Sequence, residues 1–379
     1  MRALAHIAAT LMIICFGLHL GACNHAEQAL DVEAVYTPRY AQGFEIAREK
    51  SSGAHLLIVK NPWQGAEQVE FHIALDRTPI HNFKGQRVGE PAQRIVAMSS
   101  SYVAMLDAIG CSDRIAGISG TRFITTPSVR QAIERGEVCE VGHDTNLDFE
   151  RIKSLRTDLV LLYGVAGEAK SVTNKLEELA IPYIYIGDYV ESEPLGKAEW
   201  AVALAWLCGC PERGEEFFRG VEQRYNAIRE RKYCSAYRPK VMLNLPYRDT
   251  WFMPSTKSYA VRLIEDAGGE YIYPQNSSSS STPISLEEAL LLAGEADFWL
   301  NLGQISTLDE LRNAVPRFAE VEAVRQRRIY NNNRRTSRSG GSDFWESGAV
   351  RPDVILQDLV KILHFEAPTD SLYYYKRIE

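Results

Sequence analysis

The chain has 379 residues, of which 45% are hydrophobic and 24% charged, and its formal net charge is -7. This composition is that of a globular protein and excludes a disordered or fibrous chain, and the length suits about two domains. The negative charge argues against a nucleic-acid-binding protein, whose surface should be basic.

The first residues are typical of an exported protein. Arg2 precedes an apolar run over residues 3–20, and Gly21 and Ala22 lead to Cys23. This order predicts a signal peptide over residues 1–22. The small residues before the cysteine suggest that Cys23 is acylated and becomes the first mature residue, with residues 23–35 as a tether above the membrane. An ordinary signal peptide with a chance cysteine is the alternative.

Export implies an oxidising compartment, in which cysteines can pair. Five cysteines follow Cys23 in the chain: Cys111, Cys139, Cys208, Cys210 and Cys234. Their number is odd, and the Cys208-Gly209-Cys210 motif lacks the additional ligands that a metal site needs. We therefore expect small buried side chains with at most one disulfide, and no metal site.

Strand patterns begin after the predicted tether. Apolar runs over residues 44–48, 55–59 and 69–75, separated by turn residues, predict a segment rich in β-hairpins. From Arg94 onward the pattern alternates: strands are predicted over 95–97, 115–118, 159–163 and 183–186, and helices over 102–109, 147–155 and 172–179. Such alternation predicts βαβ units and a mainly parallel sheet, so residues 36–210 form a predicted N-terminal lobe.

One long amphipathic helix is predicted next, between Cys210 and Lys232. Pro211 suits the first helical position, and Glu212 places negative charge near the helix N-terminus. An apolar stripe at spacings of three and four consists of Phe217, Phe218, Val221, Tyr225 and Ile228. Residues 211–232 are therefore assigned as a helix that connects two similar α/β lobes.

The alternation repeats over residues 233–379, the predicted C-terminal lobe. Its predicted elements cover residues 241–245, 259–267, 271–273, 286–292, 298–302, 308–315 and 329–330, and a final helix covers 350–363. A faint internal repeat supports two lobes. Residues 147–162 and 284–300 each contain a short helix, an acidic turn at Asp158 or Asp297, and a buried strand.

Open α/β sheets bind ligands in the loops at the carboxyl ends of their strands. Aromatic side chains recur in these loops: Phe123, Tyr163, Tyr189, Tyr247, Trp251 and Trp345. They predict a cleft that suits a large, flat, partly apolar ligand. Arg122, Arg248 and Arg335 accompany them, and guanidinium groups pair with carboxylates and stack on aromatic faces. A solvated basic edge is the alternative for residues 325–338.

Catalytic signatures are missing from the sequence. It contains no G-x-S-x-G, no phosphate-binding G-x-x-x-x-G-K and no H-E-x-x-H motif. The histidines are scattered over separate predicted elements, which disfavours a transition-metal site. We therefore expect no catalytic residues and no cofactor, and a binding protein rather than an enzyme.

These features resemble those of the periplasmic substrate-binding lipoproteins of ABC importers, in the group that takes up ferric siderophores, haem and vitamin B12. The matching pieces are the segment ending at Cys23, residues 94–99, 108–110, 149–152 and 158–160, the connecting helix, and residues 331–333, 343–348 and 351–353. The resemblance implies an α/β fold with two Rossmann-like lobes joined by one long rigid helix, and a ligand cleft between the lobes. It also implies a periplasmic protein held on the membrane through Cys23.

The resemblance implies two kinds of partner, an ABC permease with its ATPase and a small ligand. One exposed glutamate of each lobe docks on arginines of the permease in this family. By position these are Glu150 and Glu287, with Glu288 as the alternative to the second.

The family also bears on the ligand. Tryptophans that flank the corrinoid in vitamin B12 binders match positions near Asp144 and Ser281, and Tyr163 replaces a third. Together with the three arginines, this favours an anionic iron chelate, a ferric siderophore or haem, over a corrinoid.

The rival from another class is a chelate-processing enzyme on the same fold, with its catalytic group among His143, Asp144, Asp188 and Asp343. A surface adhesin or structural lipoprotein is a third alternative.

Overall fold

The computed structural model describes residues 30–143, 146–165, 167–231, 237–278, 280–365 and 371–379. The predicted signal peptide, Cys23, Asp144 and Cys234 lie outside these residues. Within the described ranges, no helix is both long enough and apolar enough to cross a membrane.

The strands and helices of the described residues are numbered in chain order. The strands are β1 (Val32–Tyr36), β2 (Phe44–Glu49), β3 (His55–Lys60), β4 (Glu70–Ala74), β5 (Gln86–Arg87), β6 (Ile95–Ala97), β7 (Ile115–Ile118), β8 (Cys139–Glu140), β9 (Gly142–His143), β10 (Asn146–Leu147), β11 (Leu159–Leu162), β12 (Tyr183–Tyr185), β13 (Lys240–Leu243), β14 (Thr250–Met253), β15 (Glu270–Tyr271), β16 (Thr282–Ser285), β17 (Phe298–Leu300), β18 (Ile329–Asn331) and β19 (Lys376–Arg377). The α-helices are α1 (Ser100–Ala108), α2 (Pro127–Glu134), α3 (Phe149–Ser154), α4 (Lys170–Glu178), α5 (Pro194–Leu207), α6 (Pro211–Arg229), α7 (Tyr259–Asp266), α8 (Leu286–Glu295), α9 (Leu308–Ala314), α10 (Glu322–Arg325) and α11 (Pro352–His364).

The N-terminal segment forms a five-stranded sheet in the order β1-β2-β3-β4-β5. The predicted hairpin strands are confirmed as β2, β3 and β4, which pair antiparallel. β1 also pairs antiparallel with β2, from Val32 to Tyr36. Residues 32–35 therefore belong to this sheet, and the predicted tether extends too far into the folded protein.

A buried glutamate ties the chain after β1 to helix α5. The carboxylate of Glu199 accepts hydrogen bonds from the Tyr36 hydroxyl and from the backbone N–H groups of Arg39, Tyr40 and Ala41, at 2.7 to 2.9 Å. The sequence pattern does not predict α5. Nearly all of its residues are buried, so no polar face marks its helical period.

The N-terminal lobe has a parallel sheet in the order β12-β11-β6-β7-β8. Its predicted strands are confirmed as β6, β7, β11 and β12, and α1, α2, α3 and α4 lie between successive strands of the chain. Asp158, just before β11, accepts hydrogen bonds from the backbone N–H groups of Gln93 and Arg94 at 2.8 to 3.1 Å. This acidic turn joins the first residues of β11 to the chain entering β6.

The C-terminal lobe repeats this arrangement with another strand order, β15-β13-β17-β18-β19, in which only the last pair is antiparallel. Asp297, just before β17, accepts a hydrogen bond from the backbone N–H of Lys240 at 2.7 Å. It therefore joins β17 to β13 as Asp158 joins β11 to β6. The internal repeat predicted from the two acidic turns is present in the structure.

Helix α6 contacts both lobes. An added Cβ at Gly214 would lie 2.5 Å from the Ala205 Cβ, so glycine allows α6 to pack closely on α5 of the N-terminal lobe. On the other side, Arg224 Nε lies 2.6 Å from an Asp353 carboxylate oxygen on α11, and the Tyr225 hydroxyl donates to Asp266 on α7 at 2.6 Å. The predicted fold class, an α/β protein of two lobes, is confirmed.

Candidate functional site

The strand order of the N-terminal sheet reverses between β6 and β11, and loops at such a point diverge to leave a crevice. A cavity of about 340 Å³ opens there, at the carboxyl ends of the two strands. Its lining residues are Met98, Leu147, Leu162, Tyr163, Gly164, Val165, Gly167, Glu168, Ala169, Val172 and Tyr185. Tyr163 was predicted to line the cleft, and it lies on the wall of this cavity.

The cavity wall is mostly apolar and backed by rings. Tyr185 packs against Trp63 and Phe71, with ring centroids 5.3 and 5.6 Å away. Its hydroxyl accepts the Ala169 N–H at 3.1 Å, and burial raises the pKa of Tyr185 to about 12, so Tyr185 is uncharged at neutral pH. Among the lining residues Glu168 is the one acidic side chain. An added Cβ at Gly164 would lie 2.8 Å from the Trp63 ring. Such a wall favours a flat or branched apolar group over a charged one.

Tyr189, also predicted as a ligand-binding residue, holds the neighbouring loops together. Its hydroxyl donates to the Val165 carbonyl at 2.6 Å and accepts the Gln64 N–H at 3.1 Å. The same side chain is 38% exposed. Tyr189 thus connects the loops after β3, β11 and β12 beside the cavity, and it leaves part of its ring open to solvent.

The two lobes meet at a buried carboxylate. Glu346 of the C-terminal lobe is 0% exposed and accepts hydrogen bonds from the backbone N–H and hydroxyl groups of Thr125 and Thr126, at 2.5 to 2.8 Å. Burial raises the pKa of Glu346, and these hydrogen bonds oppose part of that rise. Beside this junction, an added Cβ at Gly341 would clash with the Phe123 carbonyl. These contacts set the separation of the lobes on this side of the cleft.

The predicted arginines lie over aromatic rings. The guanidinium carbon of Arg122 is 4.4 Å from the Phe123 ring centroid, and that of Arg248 is 5.3 Å from the Tyr247 ring centroid. Both arginines are exposed, as are Tyr247 at 65% and Trp345 at 60%. Two cationic, aromatic loop tips are therefore open to solvent, one in each lobe.

Arg335 has a different environment. It forms an ion pair with Asp343 and lies over the Tyr373 ring, 4.4 Å from the centroid. Asp343 is itself buried. Much of the Arg335 charge is therefore balanced within the C-terminal lobe.

The prediction of Trp251 as a ligand-binding residue is wrong. Trp251 is 0% exposed, packs against Trp299 and Phe318, and donates its indole N–H to the Leu243 carbonyl at 2.9 Å. It lies on β14, which pairs with β16, so alternate side chains face the core. Its neighbour Phe252 is 45% exposed on the opposite face.

The residues considered for catalysis have other partners. Asp188 is buried, its carboxylate is 3.7 Å from Lys197 Nζ, and burial raises its pKa. His143 is exposed, with Nδ1 2.9 Å from the Ser119 hydroxyl. In the part of the chain that the structure describes, no group of three or more His, Cys, Asp or Glu side chains is arranged to hold a metal ion.

The two predicted docking glutamates lie near helix N-termini and are exposed. Glu150 is in the first turn of α3, and Glu287 is in the first turn of α8. Glu287 accepts a hydrogen bond from the Arg317 guanidinium at 3.0 Å, and Glu288 beside it is also exposed.

Sequence analysis missed several residues of the site. Met98, Val172 and Tyr185 lie on different elements and share only the cavity, and Glu346 finds its partners more than 200 positions earlier in the chain. The sequence did indicate where the cavity could lie, because Met98 and Gly164 each directly follow a predicted strand, where ligand-binding loops begin. Choosing between these loops required the strand order.

Comparison with known proteins agrees with this architecture. The family model described as "Periplasmic binding protein" matches residues 95–335. An uncharacterized lipoprotein of Methanocaldococcus jannaschii is 23% identical over 338 residues, which cover 82% of this chain and 78% of the relative. A second uncharacterized protein of that organism is 20% identical, over 61% of this chain and 68% of the relative.

Solved structures share the fold. A periplasmic heme-binding protein of Pseudomonas aeruginosa aligns with a TM-score of 0.56 at 19% identity, covering 76% of this chain and 98% of that one. A periplasmic vitamin B12-binding protein of Vibrio cholerae aligns with a TM-score of 0.53 at 16% identity, covering 73% and 98%. These relatives are binding proteins rather than enzymes. The family model matches more than half of this chain, and the chain therefore belongs to the periplasmic binding protein family.

Proposed function

We propose that this protein captures an iron chelate, a ferric siderophore or haem, and delivers it to an ABC permease. The observation that carries the proposal is the apolar, ring-backed cavity at the point where the N-terminal sheet reverses its strand order. Families with this fold bind ligands at such points, and an organic chelate offers flat apolar surfaces to fill it.

The two loop tips support an anionic ligand. Arg122 and Arg248 carry exposed guanidinium groups over aromatic rings. Carboxylates of a chelate or of haem would pair with them, which the largely amide-bearing edge of a corrinoid would not do. We expect an affinity between nanomolar and micromolar, about -12 to -8 kcal/mol, which suits capture followed by release.

The test is a titration of the purified protein, separately with a panel of ferric siderophores, with haemin and with cyanocobalamin. Trp63 lies against Tyr185 at the cavity wall and should report ligand entry by fluorescence, so Trp63→Phe should lose most of the signal while still binding. Native mass spectrometry checks the stoichiometry, because these ligands absorb light.

Saturable one-to-one binding of a ferric chelate supports the proposal. Preference for cyanocobalamin would replace the chelate with a corrinoid in the same role. Binding of neither class would refute ligand capture and would favour the chelate-processing enzyme, for which product formation from the same panel is the readout.

Docking on the permease is proposed to use Glu150 and Glu287. Both are exposed, one on each lobe, and charge pairs at such a rim affect partner choice and association rate more than affinity. With the permease and its ATPase in proteoliposomes, Glu150→Gln and Glu287→Gln should each weaken stimulation of ATP hydrolysis. Glu288→Gln is the matched control. A larger effect of Glu288→Gln would move the docking residue by one position.

The lipid anchor is proposed at Cys23, on the small residues that precede it. Cys23→Ser should release the protein from the membrane fraction, and mass spectrometry of the wild-type N-terminal peptide should show an acylated cysteine. An unmodified Cys23 in the mature protein, or a mature chain that begins elsewhere, would refute the anchor and leave ligand capture untouched.

A further inference from the structure

Cys111 meets the Cys208-Gly209-Cys210 motif, which lies about 100 positions later in the chain, where helix α6 leaves the N-terminal lobe. Cys111 follows α1, Cys208 immediately follows α5, and Cys210 immediately precedes α6. The Sγ atoms of Cys111 and Cys210 are 3.6 Å apart, which is van der Waals contact between two sulfurs. Sequence spacing alone gave no reason to select Cys111 as the partner of the Cys208-Gly209-Cys210 motif.

The surroundings distinguish the three thiols chemically. A hydrogen bond with Cys208 lowers the pKa of Cys111, and the nearby Arg114 and Arg213 guanidinium groups lower it further. The same hydrogen bond and burial raise the pKa of Cys208, and burial together with the contact to Cys111 raises the pKa of Cys210 to about 11. Arg114 also donates to the Cys208 carbonyl at 2.6 Å, which fixes the backbone at that residue. Cys111 is therefore the sulfur with the most thiolate character, and thiolates are the reactive form.

Access to solvent separates Cys210 from the other two. Cys111 and Cys208 are buried, whereas Cys210 is partly exposed. A small oxidant can therefore reach Cys210 first, and Cys111 lies behind it at contact distance. We propose that Cys111 and Cys210 form a disulfide that links the residue before α6 to the chain after α1, with Cys208 remaining a thiol.

The reaction balances as thiol–disulfide exchange with a small disulfide such as oxidised glutathione. The deprotonated fraction of Cys210, which is small at neutral pH because its pKa is raised, attacks one glutathione sulfur, which forms a mixed disulfide and releases one glutathione thiolate. The Cys111 thiolate then attacks the Cys210 sulfur, which forms the Cys111–Cys210 bond and releases the second glutathione. The two protein thiols lose two electrons together, and the small disulfide is reduced to two thiols.

The link would stabilise the protein mainly by restricting the unfolded chain, because it closes a long loop from residue 111 to residue 210. It would also hold α6 against the N-terminal lobe without adding a constraint on the C-terminal lobe. We expect oxidation to raise Tm by about 5 to 10 °C.

The test uses the purified protein, fully reduced and then incubated with oxidised glutathione, and needs no ligand or permease. Trapping of free thiols followed by non-reducing peptide mapping should recover one linked pair of peptides, containing Cys111 and Cys210. Cys208→Ser should still form this pair and keep the rise in Tm. Cys210→Ser should form no such pair and should show no rise in Tm on oxidation. Cys139→Ser, which removes a cysteine on β8, should behave as wild type.

Several outcomes would overturn the proposal. Recovery of Cys111 and Cys210 as free thiols after oxidation would do so, as would linkage of Cys111 to Cys208 or of either residue to Cys234. The peptide map of the wild-type chain gives the decision even where a serine variant fails to fold. Because the readout is independent of any ligand, failure here would leave the proposed transport function standing.

Discussion

The two lobes share a plan, but the regions at their strand reversals differ. In the N-terminal lobe the carboxyl ends of β6 and β11 border the cavity of about 340 Å³. In the C-terminal lobe the corresponding place, at the carboxyl ends of β13 and β17, has a cavity of only about 20 Å³, and two tryptophans pack against the end of β13. Trp251 donates its indole N–H to the Leu243 carbonyl at 2.9 Å, and Trp299 donates to the Asn244 carbonyl at 2.7 Å.

The C-terminal tail fills this region further. The Tyr375 hydroxyl donates to the Asn301 side-chain oxygen at 2.9 Å, just after β17. Asp358 holds that tail by accepting the backbone N–H groups of Tyr373, Tyr374 and Tyr375. The N-terminal lobe therefore contains the larger of the two cavities, while the C-terminal lobe supplies exposed loops and the carboxylate that joins the lobes.

The largest expected effect comes from breaking the join between the lobes. Glu346→Ala leaves two hydrogen-bond donors of half-buried Thr125 and two of buried Thr126 without their acceptor, and should lower the free energy of unfolding by about 4 kcal/mol. Chemical denaturation measures the loss. Glu320→Ala, at an exposed position of the same lobe, should change it by less than about 0.5 kcal/mol. If Glu346→Ala also changed the free energy of unfolding by less than about 0.5 kcal/mol, the hydrogen bonds of Glu346 would contribute little to stability.

Filling the cavity tests whether the N-terminal lobe supplies the binding volume. Ala169→Trp places a large ring at the cavity wall and should weaken ligand binding about 100-fold, or about 2.7 kcal/mol, by occupying the ligand's space. Ala169→Ser is the matched control and should bind within about threefold of wild type. Titration with the ligand identified for the wild type measures both. Unchanged binding by Ala169→Trp would place the ligand elsewhere in the cleft.

Removing charge from the loop tips separates the contributions of the two lobes. Arg122→Ala in one lobe and Arg248→Ala in the other should each weaken binding of an anionic chelate about five- to tenfold, roughly 1 kcal/mol. The losses should shrink at high salt because these groups are exposed. Arg312→Ala, on α9, serves as the control. Equal losses with neutral and anionic ligands would show that the arginines contribute packing rather than charge.

The smallest expected effect is a pH dependence at the join. Burial raises the pKa of Glu346, so the folded protein holds this proton to higher pH than the unfolded chain does. The stability that this group contributes is complete below its unfolded pKa, about 4.3, and is lost as pH rises through the folded pKa. Relative to Glu346→Gln, which does not titrate, the wild type should therefore lose free energy of unfolding as pH rises. If the free energy of unfolding of the wild type instead rose with pH relative to that of Glu346→Gln, the result would contradict a raised pKa of Glu346.

Several features could be predicted because their signals are local. The strand at residues 115–118 is apolar and bounded by turn residues, and the helix that follows Pro211 has both an amphipathic stripe and a favourable start. The acidic turns at Asp158 and Asp297 are visible in the sequence because each precedes a buried strand. Helix α5 was not predicted because it is buried on nearly all sides and so lacks the periodic polar face that marks a helix in the sequence.

Trp251 shows why the site itself was harder to predict. Its position after a predicted strand suggested a loop, but pairing of β14 with β16 turns the ring into the core. Tyr163 was predicted to line the ligand cleft, and it lies on the wall of the cavity because the loop after β11 is at the strand reversal. Its role in ligand binding stays a prediction. The difference between these two aromatics depends on strand pairing and strand order, which adjacent residues do not encode.

By itself, the sequence determined the alternation of strands and helices, the two similar lobes, the connecting helix and the family resemblance. Only the tertiary structure decided that the cavity lies in the N-terminal lobe, that Glu346 joins the lobes, and that Cys111 meets Cys210. The physical reason is that periodicity and capping act within one or two turns of chain. The contacts of Glu346 and Cys111 join residues 221 and 99 positions apart, so they exist only once the elements have packed.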